Sequence, residues 1–273
     1  MCGRYAATKD PATLMKEFDA ADGTEGQAPT ENYNVAPTKN VVSVVERHPR
    51  DADGNVQEDE PAVRSLRVMR WGLVPFWAKD AGIGSRMINT RAETASEKPA
   101  FRKALTRRRC LIPADGWYEW RPVEGAAKKT PKEPFYMTTR DGSSLAFAGI
   151  WETWRDPKGE PDAPPLITCS VITTDAIGQL AGIHDRMPLV LPGDRWQDWL
   201  DPDRTDAAGL LEPPGVDWAD SLELRPVSTR VNSVRNNGPE LLARAEAEAA
   251  NLDSADGADS ADDGALFDVP NPK

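Results

Sequence analysis

Cys2 is the first residue of the chain with chemistry to offer. Removal of the initiator Met1, usual before a small second residue, leaves a cysteine whose free α-amine and thiol stand on adjacent carbons. Such a 1,2-aminothiol presents two nucleophiles to one electrophile, and an aldehyde taken by both closes into a five-membered thiazolidine. The amine, with a pKa of about 7.7–8.0 against about 10.4 for lysine, is roughly one-tenth neutral at pH 7. The competing reading is that Cys2 has no role. Two further groups suit proton transfer. His184 lies in Gly182-Ile183-His184-Asp185-Arg186-Met187-Pro188, and its unperturbed pKa falls near neutrality; the alternative is a turn or core histidine. Glu119 is flanked by Trp117, Tyr118 and Trp120, where desolvation would raise its pKa. Plain strand alternation would instead turn Glu119 to water between inward rings. Arg4, Arg91 and Arg186 each sit in a polar constellation, suited to bidentate phosphate contact or to salt bridges. Glu93, near Asn89 and Arg91, reads as a structural ion-pair partner, and His48 as a surface residue.

Several chemistries are excluded. There is no phosphate-binding Gly-x-x-x-x-Gly-Lys-Ser/Thr loop, no paired metal-ligand spacing and no Gly-x-Ser-x-Gly elbow. Catalysis is therefore expected without metal or cofactor, on side chains and the N-terminus. The three cysteines, Cys2, Cys110 and Cys169, form no close pair, and the latter two lie in apolar runs that read as core. The formal net charge of -11 argues against a polyanionic partner only if it is evenly spread. It is not, since from Glu240 onward acids far outnumber the bases Arg244 and Lys273. No signal-peptide pattern and no membrane-length apolar run occur, so a cytoplasmic protein without a membrane partner is expected.

Short strands dominate the elements that must position these groups. A helix is predicted from Asp10-Pro11 to Phe18, and a buried strand over Val41–Val45. An extended polar loop, His48 to Pro61, joins that strand to another over Val63–Met69 as a long-looped hairpin. Arg70 to Trp77 is irregular, its Trp71 and Trp77 serving as core plugs, the favoured reading, or as base-stacking platforms. A basic helix is expected around Phe101–Arg109, then a strand passing through a tight turn over Leu111–Trp120. Strands follow at Phe135–Met137, Leu145–Trp151, Leu166–Thr173 and Leu222–Val227, with a short helix near Trp196–Leu200. The pattern is α+β, a single domain dominated by strands.

Six segments taken together carry a resemblance: Met1-Cys2-Gly3-Arg4, Tyr33-Asn34-Val35-Ala36-Pro37, Trp71-Gly72-Leu73-Val74-Pro75, Ile88 to Thr94, Ala114 to Trp120, and Ile183 to Pro188. In this order they closely resemble the SOS response-associated peptidase (SRAP) family, and Val227-Ser228 through Glu240 extends the match. The resemblance implies a barrel-like β-sheet core flanked by short helices, with residues 1–240 as the catalytic and DNA-binding domain. The acidic segment 241–273 is expected to be a disordered tail. It also implies that Cys2, once N-terminal, crosslinks to the aldehyde of an abasic site in single-stranded DNA, with strand-cleaving lyase chemistry as a side activity. By position, Asn89 would orient Cys2, Glu119 would act as acid and base, and His184 would assist proton transfer. Arg4, Arg91 and Arg186 would hold phosphates, and Trp71 would pack by the DNA. The implied protein is a monomer, nucleoid-associated when on damaged DNA. A thiol autopeptidase using Cys2 and a non-covalent single-strand binder remain as alternatives. The acidic loop near Asp51–Glu60 and the acidic tail depart from the family pattern.

Overall fold

The computed structural model describes residues 2–123 and 132–245. Among these residues the strands are β1 (Tyr5–Ala7), β2 (Asn32–Val35), β3 (Asn40–Arg47), β4 (Val63–Trp71), β5 (Asn89–Arg91) and β6 (Arg109–Ala114). They continue with β7 (Gly116–Arg121), β8 (Glu133–Thr138), β9 (Leu145–Trp154), β10 (Leu166–Asp175), β11 (Arg186–Pro188) and β12 (Glu223–Pro226). The α-helices are short: α1 (Pro11–Phe18), α2 (Arg102–Arg107), α3 (Trp196–Leu200) and α4 (Val216–Ser221). Of the expected tail, residues 246–273 lie outside the described residues.

Five strands close on themselves. The order β10-β4-β3-β6-β9 returns to β10 through an antiparallel β9–β10 pairing, giving a ring that no free edge interrupts. Its strands are apolar on both faces because both faces are covered. Along β9, Leu145, Phe147 and Trp151 point into the ring, while Ala146, Ala148 and Ile150 pack outward with residues of α1, α2 and α3. The second sheet, β12-β8-β7-β1-β2, packs onto the ring interior. Tyr5 meets Trp71 edge-on at 5.3 Å and Phe147 at 5.9 Å, and Trp117 meets Phe147 at 6.1 Å.

The polar residues are placed chiefly by β10. On one edge it pairs in parallel first with β4 (Cys169 opposite Trp71) and then with β5 (Val171 opposite Asn89). On the other it pairs antiparallel with β9 and then β11 (Asp175 opposite Arg186). The chain must therefore leave the edge at Trp71 and rejoin it at Asn89. It does so through Gly72, whose φ of +125° favours glycine, packed so tightly on Gly84 that a Cβ would fall 2.6 Å from the Gly84 carbonyl oxygen.

The α1 start is as the sequence predicts: the Asp10 carboxylate accepts from the Thr13 amide at 3.0 Å, ahead of Pro11. The β3–β4 hairpin also stands, in register from Asn40 opposite Arg70 to Arg47 opposite Val63. Two expectations change. The basic helix ends at Arg107, because Arg109 turns inward and gives its guanidinium to the carbonyls of Leu105, Thr106, Trp199, Asp201 and Arg204. The predicted strand over Leu111–Trp120 is two strands on different sheets, β6 and β7, separated at Asp115. There the amide donates to Ala6 and the carboxylate accepts from the Thr8 amide at 2.7 Å. Replacing Gly72 with alanine is expected to lower stability by about 2 kcal/mol or more, measured as a reduced urea midpoint at unchanged m-value.

Candidate active site

The N-terminal segment is delivered by the β1–β7 ladder. Tyr5 lies opposite Trp117 and Ala6 opposite Gly116, and the Tyr118 amide donates to Arg4 at 2.9 Å. This register runs the residues before Arg4 alongside Glu119. Strand alternation on β7 then decides an open question. Trp117 shares a face with Glu119 and packs in the core that contains Cys2, whereas Tyr118 and the partly buried Trp120 pack on the other face with Val227 and Val231. Glu119 is thus buried, 3 % exposed, rather than turned to water.

Cys2 is itself fully buried. From the other sheet Asn89, first residue of β5, donates through Nδ2 to the Cys2 carbonyl at 2.7 Å. The Asn89 Oδ1 is buried without a hydrogen bond, an acceptor left beside the Cys2 peptide. Burial, and then the nearby Glu119 carboxylate, push the Cys2 thiol far above the usual thiol range, while the Arg4 backbone amide opposes this. Burial also raises the Glu119 carboxyl, to about 7.

His184 completes the group. Its Nε2 lies 4.0 Å from Glu119 Oε2, and burial lowers its pKa. Nδ1 has two neighbours that ask for opposite tautomers. It accepts from the Arg186 amide at 2.9 Å, yet sits 2.7 Å from Asp185 Oδ1, to which it would have to donate. The backbone amide is fixed, the Asp185 side chain is 86 % exposed, and the lowered pKa favours the neutral ring. We assign the tautomer with the proton on Nε2, facing Glu119.

The expected phosphate ligands fare differently. Arg91 is exposed at the end of β5, where its backbone pairs with Thr173, and its guanidinium makes no hydrogen bond or ion pair among the described residues. Arg186 is held by Glu93 through both guanidinium nitrogens, at 2.8 and 3.0 Å, and by Asp175 at 2.5 Å, so Glu93 is the ion-pair partner its position suggested. Arg4 bridges Asn34 Oδ1 at 2.7 Å and the Val231 carbonyl at 2.9 Å and stacks over Trp120. Trp71 is wholly buried, its indole N–H on the Ile88 carbonyl at 2.9 Å, and it has no face on which DNA could rest. Its place is that of a core plug, the reading its own sequence context favoured, whereas Trp77, given the same reading, is 50 % exposed. His48 pairs at the surface loop with Asp203. Sequence reasoning missed Lys132, whose charge acts on both Glu119 and His184. Its only signal was a basic β7–β8 connection opposite the aromatic strand. It also missed that Asn34 ties Arg4 to the turn at 231–236. No group of three or more potential metal-ligating side chains occurs among the described residues.

The family model described as SOS response associated peptidase (SRAP) matches residues 1–234. The chain belongs to the SRAP family. Among SRAP relatives, abasic site processing protein YoqW of Bacillus subtilis (strain 168) is 39% identical over 245 residues, covering 89% of this chain and 99% of that one. Abasic site processing protein HMCES of Gallus gallus is 32% identical over 273 residues, covering 89% and 77%. The SRAP architecture recurs in the crystal structure of a Bacteroides thetaiotaomicron protein with a TM-score of 0.70, 24% identity and coverage of 89% and 100%, a likeness of fold alone. A Bordetella bronchiseptica protein matches with a TM-score of 0.64 at 25% identity, covering 83% of this chain and all of that one.

The raised Glu119 carboxyl sets a pH dependence with a definite sign. Folding favours the protonated acid, so its contribution is fully present below about pH 4.5 and is lost as pH rises through about 7. Relative to Glu119→Gln, wild-type stability should fall by about 3 kcal/mol between those pH values, measured by urea unfolding of both proteins across the range.

Proposed function

We propose that this protein processes abasic sites in single-stranded DNA, forming a covalent crosslink through Cys2 once Met1 is removed. The observation that carries the reading is the Cys2–Asn89–Glu119–His184 arrangement. It combines a peptide pinned by an amide with a spare buried acceptor and a carboxyl whose pKa lies at about 7. The names of the YoqW and HMCES relatives support the same substrate. In no helix of the described residues is there enough apolar length to cross a membrane.

The order of steps follows from the two nucleophiles. Burial holds the thiol protonated, so the α-amine, the weaker base, attacks the C1′ aldehyde first. A carbinolamine forms and loses water to give a Schiff base, a step that needs an acid. Protonated Glu119 supplies that proton, and Asn89 Oδ1 accepts from the reacting nitrogen. The thiol then adds across the C=N bond, its proton passing to the Glu119 carboxylate, which the protonated Nε2 of His184 faces. The product is a thiazolidine, the sum of protein and DNA less one water. The Schiff base also acidifies the C2′ proton, so β-elimination with strand cleavage branches from the same intermediate. Of the three arginines proposed to hold phosphate, Arg91 is the one whose guanidinium is not engaged among the described residues. Lys132 adds positive charge at the site, and Arg4 and Arg186 reach phosphate only by exchanging their present partners. A thiol autopeptidase acting at Met1 is the second reading, favoured by the buried Cys2 beside an acid–base pair.

Intact-mass measurement of the Met1-less protein with a single-stranded oligonucleotide bearing one abasic site should show the one-water-deficient adduct. Cys2→Ala, which keeps the α-amine but lacks the thiol, should show no adduct that survives denaturation, only a hydrolysable Schiff base with the same one-water deficit, while retaining strand binding. Glu119→Gln should slow the adduct by about a hundredfold or more, and Asn89→Ala should slow it with little change in binding. Absence of any adduct for the wild-type protein sinks the crosslinking proposal, and release of Met1 that stops in Cys2→Ala would favour the peptidase.

A further inference from the structure

A second feature lies at the end of the strand ring away from the five-stranded sheet. There a cavity of about 240 Å3 is walled by Val45, Met69, Trp151 and Ile167 and edged by Arg47 and Arg67, with the Thr153 hydroxyl as its only neutral polar side chain. Trp151 is four residues along β9 from Phe147, roughly 13 Å, so this floor is well separated from the aromatic contacts made by β1 and β7. The Arg47 guanidinium stacks on Trp151 at 4.9 Å, and that of Arg108 lies 5.7 Å from the same ring.

The charges here do not balance. Arg108 is neutralised by Glu152 at 2.6 Å. Arg47 and Arg67 have no carboxylate partner among the described residues, and Arg67 reaches only the Gly23 carbonyl, at 3.3 Å. Arg50 adds a further like charge, and burial together with Arg50, Arg108 and Arg67 lowers the pKa of Arg47. Unpaired like charges over an apolar hollow fit an anion attached to an apolar body. A nucleotide matches poorly, because its ring nitrogens and carbonyls would face Val45, Met69 and Ile167 with no donors, at about 1–3 kcal/mol for each polar group left unsatisfied. An acidic peptide with one large apolar side chain matches well.

The chain carries such a peptide. Residues 246–273 hold eight acids, Glu246, Glu248, Asp253, Asp256, Asp259, Asp262, Asp263 and Asp268, against one base, Lys273. Within them Asp262-Asp263-Gly264-Ala265-Leu266-Phe267-Asp268 sets Leu266 and Phe267 between carboxylates. Phe267 follows Ala245 by 22 residues, counted from the two numbers, a contour of up to about 75 Å. A domain of this size has a radius of gyration of about 18 Å. Reach is no obstacle.

We propose that this cavity is the docking site of the chain's own acidic C-terminal segment, with Phe267 in the apolar hollow and Asp262, Asp263 and Asp268 paired with Arg47 and Arg67. Tethering makes the contact intramolecular, at an effective concentration of order millimolar, so even a weak contact is populated. Because the cavity is remote from Cys2, docking leaves the nucleophile uncovered.

The test uses the full-length chain and a fluorescent synthetic peptide of residues 258–273, followed by anisotropy at low ionic strength. A tail-silenced protein carries Asp262→Asn, Asp263→Asn, Phe267→Ala and Asp268→Asn. The peptide should bind it at least about tenfold more tightly than it binds wild type, whose own tail competes. Adding Arg47→Glu and Arg67→Glu should abolish binding, with the fold checked by circular dichroism. Absence of binding to the tail-silenced protein overturns the proposal. So does equal binding to wild type, survival of binding after charge reversal, or displacement of the peptide by a mononucleotide at comparable concentration.

Discussion

Everything in this molecule depends on β10 sharing both of its edges between two partners. A strand of ten residues gives its first half to β4 and β9 and its second half to β5 and β11. The first pair closes the ring and makes the dry interior. The second pair ends in the polar residues, with Asn89 and Arg91 on one side and Arg186 on the other. Because the same hydrogen-bond ladder runs through both halves, the site inherits the rigidity of the closed ring, which no loop could supply.

Onto this frame the second sheet brings the remaining two groups. β1 and β7 set Cys2 and Glu119 by antiparallel register, and at the site the frames are joined by the Asn89 hydrogen bond to the Cys2 carbonyl. The electrostatics follow from packing. Trp117 and the inward-facing core exclude water from one face of β7, and a carboxyl on that face cannot keep its ordinary pKa. Moving Glu119 by one position would place it among Tyr118, Val227 and Val231 and take it out of the site.

What the sequence made legible was whatever has a periodic or punctuated signature. The cap at Asp10, the β3–β4 hairpin, the two cores of β9 and β10 and the segment containing His184 were all readable from local pattern. β1, β2, β5 and α4 were not, since their few residues form no apolar run or periodic pattern of their own and their existence depends on partners distant in sequence. Arg109 misled for a similar reason. Two of its five carbonyl partners, on Leu105 and Thr106, are local, but those on Trp199, Asp201 and Arg204 lie 90 to 95 positions away and are not visible from its neighbours in sequence. For the site, residue identity was enough to single out Cys2, Glu119 and His184. The direction in which Glu119 points required the sheet, and the engagement of Arg4 and Arg186 by internal partners required coordinates.

The contact of Arg4 with the Val231 carbonyl joins residues 227 positions apart. On the ribosome, therefore, the N-terminal segment has no finished site to enter until nearly the whole domain has been made. At about 5–20 residues per second that is a delay of roughly 10–50 s. During this interval the segment before Arg4 lacks the completed surroundings that bury Cys2. Synthesis from the N-terminus thus makes the burial of Cys2 a late event in the assembly of the domain.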